Sequence, residues 1–215
     1  MSSELYIYAS YFTDRKPKGL SQGKNSKSLA SSFGTAGLDR VILVDEQDKM
    51  IGIGEKLNVH LKGQLHRAFS VFIFDASGRL LIQKRAATKY HSGGLWSNTC
   101  CGHPRPGEEI RDAALRRLQE EMGIDCPIEK SVTFVYTVMV DNGLIEHEYD
   151  HVFIGTFDGI PSPDANEVQD WQWVEWDSLK EDMLQNQRKY TRWLSIAIKK
   201  FANEYGIVTK KPWEK

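Results

Sequence analysis

The stretch from Gly102 to Ile124 constrains the fold of this chain more than any other part of its sequence. It begins as a loop bounded by glycines and continues as a segment whose apolar residues recur every four positions. These residues are Ile110, Ala114, Leu118 and Met122. The spacing places them on one stripe of an α-helix, and Gly123 marks its end, because glycine adopts the left-handed conformation of a helix C-terminus without strain. The sequence therefore predicts an amphipathic helix with a core-facing stripe.

The polar side of this helix carries side chains that suit a phosphate group and its metal ion. Arg117 and Glu121 lie four positions apart and therefore share a helix face. Mg²⁺ prefers one or two carboxylates together with phosphate oxygens, so one residue could bind a phosphate while the other holds its metal. The alternative is an ordinary solvent-exposed ion pair worth about 0.3 kcal/mol. That alternative suits any single charge, whereas the whole pattern favours the phosphate site.

The rest of the sequence predicts more strands than helices. Strands are predicted at 41–45, 50–54, 69–75, 80–84, 132–140, 146–157 and 171–176, and helices at 177–185 and 190–205. The turns at 76–78 and 141–143 each join neighbouring strands. This order predicts an α+β fold with a mixed sheet, paired mainly as hairpins and flanked by helices. Because residues 16–37 are rich in Lys, Ser and Gly, we expect a flexible arm over 1–38 and a single domain over 39–215.

Charge and cysteine content exclude several classes of protein. The 28 basic and 29 acidic side chains give a net charge of -1, which creates no field that favours nucleic acid or an anionic membrane. No apolar run approaches the length of a membrane span. Three cysteines, two of them adjacent, make a poor disulfide framework. We therefore expect a cytoplasmic protein that has no nucleic-acid or membrane partners. We also expect a monomer, with a dimer as the alternative.

Alternation along extended segments separates the cysteines and groups two glutamates. Cys101 and His103 lie two positions apart, so both side chains point to one face of an extended segment, while Cys100 points away. Cys101 is therefore the better candidate for a reactive thiol, and Cys100 for packing. Glu146 and Glu148 share a face in the same way.

A metal site is predicted from the histidines together with these two glutamates. The donors are His60, His66, His103, Glu146 and Glu148. Three imidazoles and two carboxylates suit a transition metal such as Mn²⁺ or Zn²⁺. Each histidine alone is more often a structural hydrogen-bonding group, so the prediction depends on the whole set. Nothing in the local context of His91 or His151 favours either of them as a ligand.

The helix and its loop resemble the Nudix box, G-x5-E-x7-R-E-U-x-E-E-x-G-U, where U is aliphatic. The residues on its positions are Gly102, Glu108, Arg116, Leu118, Glu120, Glu121, Gly123 and Ile124. Arg117 departs from the box, which has a glutamate there. The resemblance implies a Nudix-like fold, and the exchange of one acid for a cation favours a substrate that is bound without P–O cleavage.

Further motifs are similar to those of type I isopentenyl-diphosphate isomerases. They are Glu55-Lys56 before His60, Leu65-His-Arg-Ala-Phe-Ser70, Asn98-Thr-Cys-Cys-Gly-His-Pro104 and Glu146-His-Glu148-Tyr-Asp. The resemblance runs from about Leu43 to Trp193. The spacing of six from His60 to His66 is one shorter than in some members, so we expect the intervening loop to close differently.

This resemblance implies interconversion of isopentenyl and dimethylallyl diphosphate by metal-dependent proton transfer through a carbocation. It implies Cys101 and Glu148 as the acid–base pair, with Glu148 as donor toward isopentenyl diphosphate and Tyr136 as its hydrogen-bond partner. The implied substrate-binding residues are Lys56, Arg85, Lys89, Arg117 and Trp193. The implied metal ligands are the five donors named above and Glu121, which would hold a Mg²⁺ that bridges to the diphosphate. Mn²⁺, Zn²⁺ or Mg²⁺ is expected at the His and Glu site, and no flavin is expected.

Two other functions compete with this interpretation. A Nudix pyrophosphohydrolase is the alternative enzyme, and it would use Glu120 as well as Glu121 without depending on Cys101. A Nudix-like binding protein without turnover is the third possibility. Arg117 disfavours the hydrolase, and the Cys101–Glu148 pair beside a full ligand set disfavours the binding protein.

Overall fold

The computed structural model describes residues 39–204. The arm predicted over 1–38 and the helix end predicted at 205 lie outside the described residues. The strands are β1 (Arg40–Val44), β2 (Met50–Glu55), β3 (His66–Phe74), β4 (Leu80–Arg85), β5 (Trp96–Ser97), β6 (Cys100–Gly102), β7 (Ile128–Met139), β8 (Ile145–Thr156) and β9 (Val168–Val174). The helices are α1 (Lys56–Lys62), α2 (Ile110–Met122), α3 (Trp176–Gln185) and α4 (Arg192–Glu204). Within this part of the chain all nine strands form one mixed sheet, which confirms the predicted α+β fold.

Strand β3 organises the sheet because it pairs with four other strands. Its residues from Ala68 to Phe74 are all buried, as expected for a strand that is covered on both faces. It runs parallel to β8, with pairs from His66–Glu148 to Phe74–Thr156. A parallel pair cannot be joined by a tight turn, so α2 and β7 lie between β3 and β8 in the chain.

The predicted hairpins β1–β2 and β7–β8 form as expected. The predicted pairing of β3 with β4 along their length is wrong. These two strands share the single pair Phe74–Leu80 and then diverge. The segment 96–102 enters between them, so β6 pairs with β3 and β5 pairs with β4. The turn at 76–78 forms as predicted, but its strands find their longer partners in β8 and β9.

Side chains of β3 alternate between two apolar cores. Phe69, Val71 and Ile73 pack in the core that includes α2. In the predicted stripe of α2, Ala114, Leu118 and Met122 are fully buried and Ile110 is partly buried against the same core, which confirms the predicted amphipathic helix. Gly123 follows it with φ of 63°, and a Cβ there would lie 2.5 Å from the carbonyl oxygen of Ser162. Phe72 and Phe74 pack in the second core with α3 and α4.

Helix α1 has no counterpart in the sequence-based prediction. It spans only seven residues, and its N-cap is Glu55, whose carboxylate accepts hydrogen bonds from the amides of Leu57 and Asn58. Ser, Thr, Asp and Asn are the more common caps, so the sequence carries a weak signal. Gly63 ends the helix with φ of 61° and turns the chain directly toward β3. This compact reversal accommodates the short spacing between His60 and His66.

Thr99 fills the gap where β3 and β4 diverge. Its hydroxyl accepts a hydrogen bond from the amide of Ile73 at 2.9 Å and donates one to the carbonyl of Leu81 at 2.6 Å. Asn98 similarly donates to the carbonyls of Val71 and Cys100. The two side chains replace the missing strand-to-strand hydrogen bonds and fix the segment that carries Cys100.

Among the described residues, no helix is long and apolar enough to cross a membrane.

We expect Thr99→Val to lower the free energy of unfolding by about 2–4 kcal/mol, because it leaves two buried backbone groups without partners. Thr137→Val on β7 is the matched control, since Thr137 is exposed and the same substitution there should change stability by less than about 0.5 kcal/mol. Urea unfolding followed by circular dichroism measures both. Equal stabilities of the two variants would contradict the bridging role of Thr99.

Candidate active site and metal centre

Two imidazoles enter the site from α1 and from the start of β3, each oriented by a backbone carbonyl. Nδ1 of His60 lies 2.7 Å from the carbonyl oxygen of Lys56, and Nδ1 of His66 lies 2.8 Å from that of Gln64. A carbonyl oxygen only accepts hydrogen bonds, so each Nδ1 carries the hydrogen and each Nε2 keeps its lone pair. Both rings are fully buried. Each therefore presents an Nε2 acceptor, which is the form that binds a metal ion.

The remaining donors come from β8 and from the residue that follows β6. Glu146 and Glu148 are buried on one face of β8. His147 between them is half-buried on the opposite face, where its Nδ1–H donates to the carbonyl oxygen of Gly63 at 2.9 Å. The parallel register pairs His66 with Glu148. One donor atom from each of five residues lies within 4.8 Å of all the others, and these residues are His60, His66, His103, Glu146 and Glu148. The structure thus brings together the five predicted ligands of the transition-metal site.

The lone pairs in this cluster face one another. Nε2 of His60 lies 3.1 Å from Oε2 of Glu146, yet both atoms are buried without a hydrogen-bond partner. Nε2 of His66 lies 3.1 Å from Nε2 of His103. Buried acceptors that face each other are costly unless a cation or a proton lies between them. The donor set therefore fits a divalent metal ion.

The ionisation states of these residues also suit a metal. Burial lowers the pKa of His103 to about 4, so its ring is neutral at pH 7. Burial also acts to lower the pKa of His60, but the hydrogen bond and charge of Glu146 outweigh it and raise the value, so a metal ion competes with a proton for this ring. Burial raises the pKa of Glu146 and of Glu148, but the hydrogen bonds and charges of the neighbouring histidines outweigh it and keep both values below the ordinary one. Neutral imidazoles and ionised carboxylates are the forms that coordinate metal ions.

Cys100 and Cys101 point in opposite directions, as the alternation predicts. Cys100 is fully buried in the core beside α2, while Cys101 is partly exposed. Burial raises the pKa of the Cys101 thiol to about 12, with the positive charge of Arg85 opposing the shift, so the thiol is protonated at pH 7.

The hydroxyl of Tyr136 donates to Oε2 of Glu148 at 2.5 Å. Burial raises the pKa of Tyr136 well above its usual value, which keeps this donor protonated.

Two of the predicted substrate-binding cations, Lys89 and Arg117, share an acidic partner in Glu167. Nη2 of Arg117 lies 2.5 Å from Oε1 of Glu121 and 3.2 Å from Oε2 of Glu167, and the Lys89 ammonium also pairs with Glu167. Burial lowers the pKa of Lys89, and the charges of Arg85 and Arg117 lower it further. Arg85, Lys89 and Arg117 therefore form one compact group of positive charge beside Glu121.

Trp193 and Lys56 are the other two predicted substrate-binding residues. The Trp193 indole is buried, donates its N–H to the Ser97 hydroxyl at 2.9 Å, and lies 5.1 Å from the Arg85 guanidinium. Lys56 opens α1, with its ammonium 3.4 Å from Oδ2 of Asp39 and 5.4 Å from the centre of the Tyr90 ring.

Comparison with known proteins places this geometry in a family. Residues 64–194 match the NUDIX domain family. An isopentenyl-diphosphate Delta-isomerase from Aromatoleum aromaticum is 53% identical over 160 residues, which cover 74% of this chain and 85% of that protein. The chain belongs to the type I isopentenyl-diphosphate isomerase family of the Nudix superfamily.

A second relative agrees with this assignment, and a solved structure agrees with the fold. An isopentenyl-diphosphate Delta-isomerase from Burkholderia multivorans is 51% identical over 162 residues, covering 75% of this isomerase and 92% of its relative. A crystal structure from Deinococcus radiodurans has the same fold, with a TM-score of 0.64 at 17% identity, covering 75% of this chain and 98% of the other.

Sequence reasoning missed three polar residues of this isomerase site. Nε2 of His91 lies 3.0 Å from Oε1 of Glu146, although His91 is not one of the five convergent donors. Glu167 pairs with Lys89 and Arg117, as described above. Gln83 donates to Oε2 of Glu121 at 2.9 Å. Each is a single residue in a loop or a strand without a spacing pattern, so only the fold reveals its partner.

Proposed function

We propose that this isomerase interconverts isopentenyl and dimethylallyl diphosphate, and so supplies isoprenoid biosynthesis, at the site formed by Cys101, Glu148 and the five convergent donors. The observation that carries the proposal is the position of Glu148. Its carboxylate belongs to the convergent donor cluster, accepts a hydrogen bond from Tyr136, and lies close enough to Cys101 to influence the pKa of the thiol. A thiol and a carboxylate that both reach one site are the acid and base that an allylic proton transfer requires.

The reaction moves one proton onto the substrate and removes another. Protonation of the terminal alkene carbon gives a tertiary carbocation, and loss of a proton from the carbon on the other side gives the dimethylallyl isomer. One of Cys101 and Glu148 gives up a proton and the other gains one, so exchange with solvent restores the starting state. The sequence-based assignment of Glu148 as donor stays a prediction. In the substrate-free protein the thiol is protonated and Glu148 is ionised, so that assignment requires a proton to move first: Cys101 loses one and Glu148 gains one.

The five convergent donors would hold one divalent ion, which we propose to be Mn²⁺, Zn²⁺ or Mg²⁺. Such an ion, when bound, supplies positive charge that fixes the two carboxylates and offsets their burial. The protein itself orients the ligands, because backbone carbonyls hold His60 and His66 and the Tyr136 hydroxyl holds Glu148.

We propose that the diphosphate binds at Lys56, Arg85, Lys89 and Arg117, with Glu121 holding a bridging Mg²⁺. The support is the compact positive group beside a buried carboxylate, which Gln83 fixes from the other side. Arginine binds phosphate oxygens with two parallel hydrogen bonds, so Arg117 suits this role better than the acid of the Nudix box would. Glu167 pairs with Lys89 and Arg117 when no substrate is bound and keeps their charges partly balanced.

Trp193 would present its ring toward the carbocation. An indole face stabilises a desolvated cation by about 2 kcal/mol, and a buried ring also excludes the water that would trap the intermediate. The hydrogen bond from its N–H to Ser97 supports a fixed orientation of this ring.

The hydrolase alternative is less consistent with the contacts of the box acids. Arg116 binds Glu108 at 2.7 Å and Glu120 at 3.2 Å, and Arg117 also binds Glu120. Both acids therefore have arginine partners, and an arginine occupies the position of another box acid.

We further propose that the protein acts as a monomer in the cytoplasm, where Cys101 stays reduced, and that it binds no nucleic acid.

Incubation with isopentenyl diphosphate and Mg²⁺ in D₂O should give dimethylallyl diphosphate that carries deuterium in a methyl group, because the added proton comes from a group in exchange with solvent. NMR measures the isomers, their deuterium and any released phosphate in one sample. Glu148→Gln keeps the size of the side chain and should lower the rate by about a thousandfold. Phosphate or diphosphate as the main product would contradict isomerisation.

Cys101→Ala should abolish isomerisation, with a loss of about a thousandfold or more in kcat, since it removes one member of the acid–base pair. Cys100→Ala is the matched control, because the neighbouring thiol faces the core, and it should keep most of the activity. Thermal unfolding verifies that both variants fold. Similar activity losses in the two variants would refute the catalytic role of Cys101.

A further inference from the structure

The loop that carries Lys89, Tyr90, His91 and Ser92 connects the cationic group with the metal centre. Ser92 donates its amide to Oδ2 of Asp141 at 2.9 Å, and Asn142 donates to the carbonyl of Tyr90 at 2.9 Å. These contacts tie the loop to the turn that precedes β8. In this loop Lys89 of the cationic group pairs with Glu167, and His91 lies beside Glu146 of the proposed metal centre. The loop therefore links the two parts of the site through a few consecutive residues.

His91 is buried and its two ring nitrogens have different neighbours. Nε2 lies 3.0 Å from Oε1 of Glu146, and Nδ1 lies 3.3 Å from the hydroxyl of Ser92. An ionised carboxylate only accepts hydrogen bonds, so Nε2 of His91 carries the hydrogen and donates it to Glu146. Nδ1 can then accept from the Ser92 hydroxyl.

The two oxygens of Glu146 consequently have separate partners. Oε1 accepts from His91, whereas Oε2 lies 3.1 Å from Nε2 of His60, makes no hydrogen bond and points into the donor cluster. One oxygen is thus held by the protein and the other is available to a metal ion. Partners of this kind, which orient a ligand without touching the metal, commonly affect metal affinity by 10- to 100-fold.

The ring of His91 also contacts Trp193. The two ring centres lie 5.7 Å apart and the planes meet at 85°, which is an edge-to-face arrangement. The Arg85 guanidinium lies over the same indole, and Nη2 of Arg85 donates to the carbonyl of His91 at 3.3 Å. His91 therefore touches both a proposed metal ligand and the ring proposed to face the carbocation.

We propose that His91 is a positioning residue of this isomerase, which donates a hydrogen bond to Glu146 and packs its ring edge against Trp193, and so couples the geometry of the metal centre to that of the indole. The inference rests on the metal site proposed above. It assigns His91 a place outside the coordination sphere, because His91 is not among the five convergent donors.

Three variants separate the two contacts. His91→Gln retains an N–H donor near the position of Nε2 and loses the aromatic edge. His91→Phe retains a ring and loses the donor. His151→Phe is the matched control. His151 lies on β8, is buried like His91, and has its Nε2 3.0 Å from a carboxylate oxygen of Asp48. Neither His151 nor Asp48 belongs to the proposed site.

The first readout is metal affinity in the absence of substrate. Metal-stripped protein is titrated with Mn²⁺, and the free ion is followed by its electron paramagnetic resonance signal. We expect His91→Phe to weaken Mn²⁺ binding by about 10- to 100-fold, His91→Gln to stay within about threefold of the unaltered protein, and His151→Phe to leave the affinity unchanged. His91→Ala, which cannot overfill the site, should match the phenylalanine variant and replaces it if that variant does not fold.

The second readout is the division between kcat and KM. We expect His91→Gln to lower kcat about two- to tenfold with little change in KM, because it loosens the indole without touching the diphosphate site. An unchanged kcat in this variant would refute the coupling to Trp193.

Equal Mn²⁺ affinities of the phenylalanine variant and the unaltered protein would overturn the proposal for His91 while leaving the metal site intact. A loss far above a hundredfold would make His91 a ligand and overturn its positioning role. Failure of the unaltered protein to bind Mn²⁺ would instead refute the proposed metal site, and the inference with it.

Discussion

The site depends on the register in which β3 pairs with β8. Parallel pairing sets His66 beside Glu148, and the antiparallel pairing of β7 sets Tyr136 on the other side of the same carboxylate. Because side chains alternate along a strand, a slip of one residue would turn Glu146 and Glu148 away from the histidines. Burial of β3 on both faces opposes such a slip. A slip of β3 would place apolar side chains against the polar site and polar side chains in the apolar cores.

The apolar scaffold and the polar site have separate tasks in this fold. Two cores, one on each face of the sheet, supply the burial that stabilises the chain. The polar cluster costs stability, because two carboxylates and three imidazoles are removed from water, and mutual hydrogen bonds offset only part of that cost. Cys101 reaches the cluster because Asn98 and Thr99 hold its segment between β3 and β4 through side-chain hydrogen bonds. Orientation of the proposed catalytic groups and metal ligands thus comes from backbone carbonyls and buried polar side chains.

Local patterns made part of this arrangement predictable from the sequence. Spacing of four gave α2 and its buried stripe, and spacing of two placed Glu146 and Glu148 on one face and separated Cys101 from Cys100. The parallel pairing of β3 with β8 was not predictable in this way, because its partners lie about 80 residues apart and no turn signal joins them. Helix α1 was missed because it is short and begins with an uncommon cap. His91 had no local signal at all, since its meaning depends on the distant Glu146.

The central claim is that three imidazoles and two carboxylates form one metal centre that leaves Cys101 free for proton transfer. X-ray absorption spectroscopy of the Zn²⁺-loaded protein tests it directly, because scattering from sulfur and from nitrogen or oxygen can be distinguished. The claim predicts nitrogen and oxygen ligands at about 2.0–2.2 Å with imidazole scattering and no sulfur. A zinc–sulfur distance of about 2.3 Å would contradict it, because the thiol would then be a ligand rather than an acid or a base.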